Sequence, residues 1–246
     1  MKTYDTLLLG SGFFSVGYAA AREGCLIAEE EQICDTHFYL PLRSFRHHPY
    51  AAVTEEGAYL AKILEELALL RDGQMNTNAL EIALCRYLTE RPQELLLKCR
   101  AVRVLPAEEG YTVTLSTNEG LLTVGARRVI DTRAHSEGGR LTVLLTTKTP
   151  AEDTRLLEEA FGEGCTEPAF YEDRLALHLP AEGRNATEAA EAAVAVLRTL
   201  PLSGKVLYIP PALSYPGTGN RRTDDDFESP IEAFERGFLY AKEVEA

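Results

Sequence analysis

Residues 7–21 read LLLGSGFFSVGYAAA: an apolar run, a Gly-Ser-Gly turn, two phenylalanines and an alanine-rich segment. Tyr4 to Gly10 has the apolar character of a short buried parallel strand. Residues 13–23 suit a helix that Gly24 closes, and CLIAEEE (25–31) is a second short strand ending in acids. The order strand, glycine turn, helix, strand makes one βαβ unit. Gly10 and Gly12 suit a tight turn whose backbone N–H groups, at a helix N-terminus, attract a diphosphate. The first-turn residues Phe13, Phe14 and Ser15 belong to that cradle.

Ser15 stands where the third glycine of G-x-G-x-x-G would be. That glycine mainly permits close helix–strand packing, so a serine is a small replacement. Gly17 and Ala19 keep the same helix face slim. A lone glycine pair is also compatible with a buried turn that binds nothing, so the acids downstream matter. Glu29 to Glu31 lie about 20 residues beyond the glycines, the spacing of a carboxylate that accepts ribose hydroxyls. Glu29 is the first candidate and Glu30 the second. An acid there repels a 2′-phosphate, which favours FAD or NAD over NADP.

Outward from this unit, residues 36–50 (THFYLPLRSFRHHPY) form an irregular stretch rich in side-chain chemistry. Arg43 could hold a phosphate or carboxylate in bidentate fashion. His47 or His48 could move a proton near neutral pH. The same residues are equally read as the surface of an aromatic-rich loop. Helices are expected over 54–70, capped by Thr54, and from Asn76 or Thr77 to Pro92. ELLLKCRAVRVLPA, GYTVTLSTN and GLLTVGARRVID then read as a strand running into a β-meander.

A second α+β run spans 138–202. Capping boxes at Thr149–Glu152 and Asn185–Glu188 open its two helices. GKVLYIP is a further strand, assigned with 203–246 to the first domain. The last helix begins at Ser229-Pro230-Ile231-Glu232, with Ser229 as cap, Glu232 as its box partner, and the N–H groups of Ile231 and Glu232 facing the site.

In this order the parts resemble the FAD-dependent oxidoreductase superfamily of the glutathione-reductase-like type. Four pieces carry the resemblance: YDTLLLGSGFFSVGYAAAREG with its acid, the strand CRAVRVL, the meander GYTVTLSTNEGLLTVGARRVIDTRA, and SPIEAFERGFLYAKEV. The resemblance implies an α/β fold: a Rossmann-like three-layer FAD-binding domain, with parallel sheet and β-meander, over 1–137 and 203–246. A small inserted α+β domain over 138–202 lies on the substrate side. It also implies FAD as cofactor, Val102 beside the adenine, and the last helix's N-terminus near the flavin. The chain departs from the family at Ser15, at DTRA where ATG is usual, and at LYIPPALSYP, which lacks the Gly-Asp preceding the closing helix.

The implied activity is oxidation or reduction of a small organic substrate. A degenerate, non-catalytic subunit of the same fold, acting as a binding or assembly module, is the alternative. An NAD enzyme on a single Rossmann unit is disfavoured by the meander and terminal helix. The chain has 246 residues and a net charge of −13, which argues against nucleic acid and anionic membranes as partners. Five cysteines without metal-ligand or redox-pair spacing suggest reduced cytoplasmic thiols, no metal, and no disulfide-reductase chemistry. A second copy of the chain or a partner subunit is compatible with all of this.

Overall fold

In the computed structural model, residues 1–34, 48–71, 73–133, 139–211, 213–214, 227 and 229–244 are described. The chain has a mixed α/β fold built on two main sheets. Its elements run β1 (Thr3–Leu9), α1 (Phe13–Ala21), β2 (Cys25–Ala28), α2 (Glu55–Glu66), β3 (Leu70–Arg71), β4 (Gln74–Met75), a 3₁₀ turn (Thr77–Ala79) and α3 (Leu80–Glu90). There follow β5 (Leu95–Leu96), β6 (Arg100–Ala107), β7 (Gly110–Thr117), β8 (Gly120–Asp131), β9 (Arg140–Thr146), α4 (Pro150–Phe161), β10 (Thr166–Pro168), β11 (Arg174–Pro180), α5 (Ala186–Leu197), β12 (Val206–Tyr208) and α6 (Pro230–Glu243).

The first sheet has the order β5-β2-β1-β8-β7-β6. Its β5-β2-β1-β8 half is parallel, and β8 continues into an antiparallel meander with β7 and β6. Alternation along β1 sorts its side chains. Leu8 joins a core with α1, α2, α3 and α6, while Leu7 and Leu9 join Val113, Leu115, Val124 and Ala126 on the opposite side.

Helices α1 and α6 cross backbone to backbone. A Cβ at Gly17 would stand 1.9 Å from Phe234 O, and one at Gly237 would stand 2.0 Å from Phe14 O. Phe14, at the start of α1, stacks on Phe227 just before α6, and Arg22, just after α1, donates to Ala241 O near the end of α6. The two helices therefore run in the same direction and present their N-termini to the same end of the sheet.

The second sheet has the order β10-β11-β9-β12, with α4 and α5 packed on one face. Here β12 differs from the sequence-based domain split, because it pairs with β9 rather than with the first sheet. Gly204 makes this approach possible: a Cβ there would stand 1.7 Å from Thr146 O. Asn185 and Glu188 form the expected capping box. Thr149 does not cap α4; instead Ser203 Oγ accepts from the N–H groups of Lys148 and Thr149 and donates to Asp153. Among the described residues no helix is long and apolar enough to cross a membrane, and no group of three or more His, Cys, Asp or Glu could hold a metal ion.

Candidate functional site

The glycine turn sits where β2, β1 and β8 end side by side, with Leu9 opposite both Ala28 and Asp131. Gly10 has φ +106°, and a Cβ there would stand 2.8 Å from Thr132 Oγ1 and 3.1 Å from Arg133 Cγ. Both the conformation and the space demand glycine. Gly12 is the N-cap of α1 and offers that helix end no side-chain cap, which leaves the approach to its backbone slim.

Ser15 is fully buried, and its hydroxyl lies 2.7 Å from Thr132 Oγ1, which itself donates to Leu9 O at 2.9 Å. With its one proton so committed, Thr132 accepts from Ser15. The serine at the third-glycine position thus ties α1 to the strand exits. The side chains of Phe13 and Phe14 point into the core, so only their backbone belongs to the cradle.

Glu29 is the acid that meets the turn. Its Oε2 accepts from Ser11 N and Ser11 Oγ, both at 2.9 Å, and Oε1 accepts from Glu31 N at 3.3 Å. Ser11 Oγ in turn accepts from Cys34 N, which fixes the chain leaving β2. Glu30 points elsewhere: it pairs with Arg133 at 2.5 Å and lies 3.8 Å from Arg100. The carboxylate beside the glycine turn is therefore Glu29.

The other candidates are spread more widely. Val102 lies half-exposed on β6, the strand at the far edge of the sheet, and is not brought to the turn. Arg43 and His47 lie outside the described residues, whereas His48 is exposed. The chain after His48 is anchored by Glu235 of α6, a buried carboxylate. Its Oε1 accepts from Val53 N and Thr54 N at 2.7 Å and from Thr54 Oγ1 at 3.0 Å. Burial and the neighbouring charge of Glu235 push the Tyr50 phenol up from its ordinary value. At the start of α6, Ile231 is buried and its N–H donates to Ser229 Oγ at 3.2 Å, so that donor is used within the cap. Glu232 lies 3.9 Å from Arg236, one turn along the helix.

A polar cluster that sequence reading passed over lies on the second sheet, on the face away from α4 and α5. His178 Nδ1 is 2.9 Å from Thr142 Oγ1, and Nε2 is 3.1 Å from Glu167 Oε1. All three side chains are buried. The signal was present as a histidine and a threonine in the alternating apolar strands RLALHLP and RLTVLLT, but pairing across β9, β10 and β11 is needed to unite them.

No protein-family model matches the chain. No curated protein matches it either. Solved structures do. p-Nitrophenol 4-monooxygenase from Pseudomonas putida is 12% identical, with TM-score 0.56 over 99% of this chain and 79% of that one. A geranylgeranyl bacteriochlorophyll reductase-like protein from Thermoplasma acidophilum is 13% identical, with TM-score 0.57 over 98% of this chain and 78% of that one. Aklavinone-11 hydroxylase, solved with FAD and aklavinone, is 13% identical, with TM-score 0.50 over 98% of this chain and 62% of that one. The chain thus has the fold of these oxidoreductases, an FAD-binding Rossmann-like α/β fold.

Proposed function

We propose that the chain is an FAD-dependent oxidoreductase acting on a small organic substrate. The observation that carries this reading is the cradle. A glycine turn at Gly10 admits no side chain, a helix starts at Phe13, and Glu29 is held 2.9 Å from Ser11 N at the end of the adjacent strand. Gly10 and Gly12 let the backbone approach the diphosphate, and Glu29 supplies the carboxylate for the adenosine ribose. Bound FAD would supply the redox chemistry.

The protein orients the substrate and handles protons. The segment containing Arg43, His47 and His48 stands next in the chain to the Glu235 anchor, and the 138–202 domain provides the substrate side. The fold shared with p-nitrophenol 4-monooxygenase and aklavinone-11 hydroxylase supports this class of substrate.

Purified protein is expected to be yellow or to take up added FAD, with thermal stabilisation. Gly12→Val should abolish uptake while leaving the circular dichroism spectrum intact. Colourless protein that FAD neither binds nor stabilises would overturn the reading. It would favour a non-catalytic subunit of the same fold, to which the stretch LYIPPALSYP, without Gly-Asp, already points.

A further inference from the structure

Arg133 leaves the end of β8 two residues after Asp131 and turns back over the sheet. Its Nε and Nη2 donate to the Asp131 carboxylate at 2.9 and 2.7 Å. Its Nη1 reaches Glu30 Oε1, two residues beyond the end of β2, at 2.5 Å. Between β8 and β2 lies β1, so Arg133 and the Asp131 and Glu30 side chains that meet it together bridge two inter-strand steps of about 4.8 Å each. The Asp131–Arg133–Glu30 bridge therefore crosses the exit of β1, where the glycine turn begins. The 3.1 Å approach of Arg133 Cγ to a Cβ built on Gly10 places the side chain against that turn.

The two pairings differ in how easily they exchange. The Asp131 contact is two-pronged, local in sequence and reinforced by Arg133 N donating to Asp131 Oδ1 at 3.1 Å. The Glu30 contact uses one nitrogen. Glu30 also has a second cation, Arg100, 3.8 Å away. A guanidinium carries five donors in a planar fork, so it can keep a carboxylate on one edge and take a phosphate oxygen on another. A diphosphate entering the cradle meets the carboxylates of Glu29 and Glu30, and a guanidinium released from Glu30 would offset their charge.

We propose that Arg133 is an anion-binding strap of the cradle: held across the glycine turn by Asp131 and Glu30, it exchanges Glu30 for a phosphate oxygen when a diphosphate-bridged dinucleotide binds. Glu30 passes to Arg100, and Asp131 keeps the guanidinium in place throughout. The inference rests on the cradle reading above. It adds a ligand that the glycine motif does not contain and a counter-ion that competes with it.

The test is a titration of the full chain with FAD at two salt concentrations, comparing wild type, Arg133→Met and Glu30→Gln. Glu30→Gln removes the competing charge and should tighten FAD, whereas Arg133→Met should weaken it by about ten-fold or more, the scale of one charge-assisted contact. Arg133→Met should also flatten the salt dependence of binding. If Arg133→Met is poorly folded, Glu30→Gln, which leaves Arg133 in place, still decides through the sign of its effect. Equal or tighter binding by folded Arg133→Met, or weaker binding by Glu30→Gln, overturns the strap while leaving the cradle intact. Failure of all three proteins to take up FAD overturns both.

Discussion

Ser15 Oγ and Thr132 Oγ1 lie 2.7 Å apart in the interior, although 117 residues separate them in the chain. The first stands at the third-glycine position of the G-x-G-x-x-G pattern and the second within DTRA at the exit of β8. They are partners: the hydroxyl that replaces a glycine hydrogen is satisfied by the hydroxyl at the strand exit. A buried hydroxyl without a partner costs about 1–3 kcal/mol, so the two changes are tolerable together and costly apart.

Ser15→Ala and Thr132→Val should therefore each lower stability by about 1–3 kcal/mol. The double variant should lose less than the sum, with a coupling of about 0.5–3 kcal/mol in urea unfolding. Additive losses would show that the two hydroxyls do not act as a pair.

Gly17→Ala and Gly237→Ala each place a methyl group within 2.0 Å of a backbone carbonyl oxygen across the α1–α6 crossing. Backbone atoms cannot rotate away as a side-chain tip can. Each should cost at least the about 1–3 kcal/mol of ordinary overpacking and show a clear drop in Tm. A wild-type Tm for either would contradict the close crossing.

Glu235→Ala should destabilise the chain more than Glu235→Gln. The amide retains an oxygen for the N–H groups of Val53 and Thr54, whereas alanine removes the acceptor of both part-buried bonds, at about 0.5–1.5 kcal/mol for each. Hydrogen exchange at the N-terminus of α2 should rise selectively in Glu235→Ala.

Acid should loosen the second sheet through Asp153. Burial opposes its ionisation, but hydrogen bonds from Ser203 N–H, Ser203 Oγ and Thr147 Oγ1 outweigh burial and hold the carboxyl below its usual range. Its folded pKa is depressed, so the stabilisation is present above the unfolded value, near 4, and is lost as pH falls through the folded one. Urea midpoints followed from about pH 6 downward should show an acid limb that is shallower in Asp153→Asn.

Thiol reagents should label Cys85 well before Cys25 in the native chain. Cys85 is exposed, whereas burial pushes the Cys25 thiol up to about 11. The raised folded value means that Cys25 favours the native state below its unfolded pKa and ceases to do so as pH rises through about 11. Equal labelling rates at pH 8 would show that β2 opens locally.

What could be read from the chain were features whose causes are local. The glycine turn, the Thr54 cap and the Asn185–Glu188 box each depend on residues a few positions apart, and the acid at Glu29 on a spacing within one βαβ unit. The expected Thr149–Glu152 box does not form, because Ser203, distant in sequence, accepts from the Thr149 N–H that Glu152 would have taken. Val102 was placed beside the adenine by the resemblance, and the meander sets its strand at the outer edge of the sheet. Neither Arg133 nor the His178 cluster was legible, because each is assembled by neighbours from different strands. Periodicity reports which face a residue occupies but not which residue faces it.

The α1–α6 crossing bears on how the protein is made. Helix α1 leaves the ribosome long before α6, and the two fit only with Gly17 and Gly237 in register. Until residues 230–243 emerge, α1 must wait with its aromatic face uncovered while the second sheet folds on its own. The emergence of α6 thus closes the layer beside the cradle, so a chain stalled short of it would carry the glycine turn without the helix packed against α1.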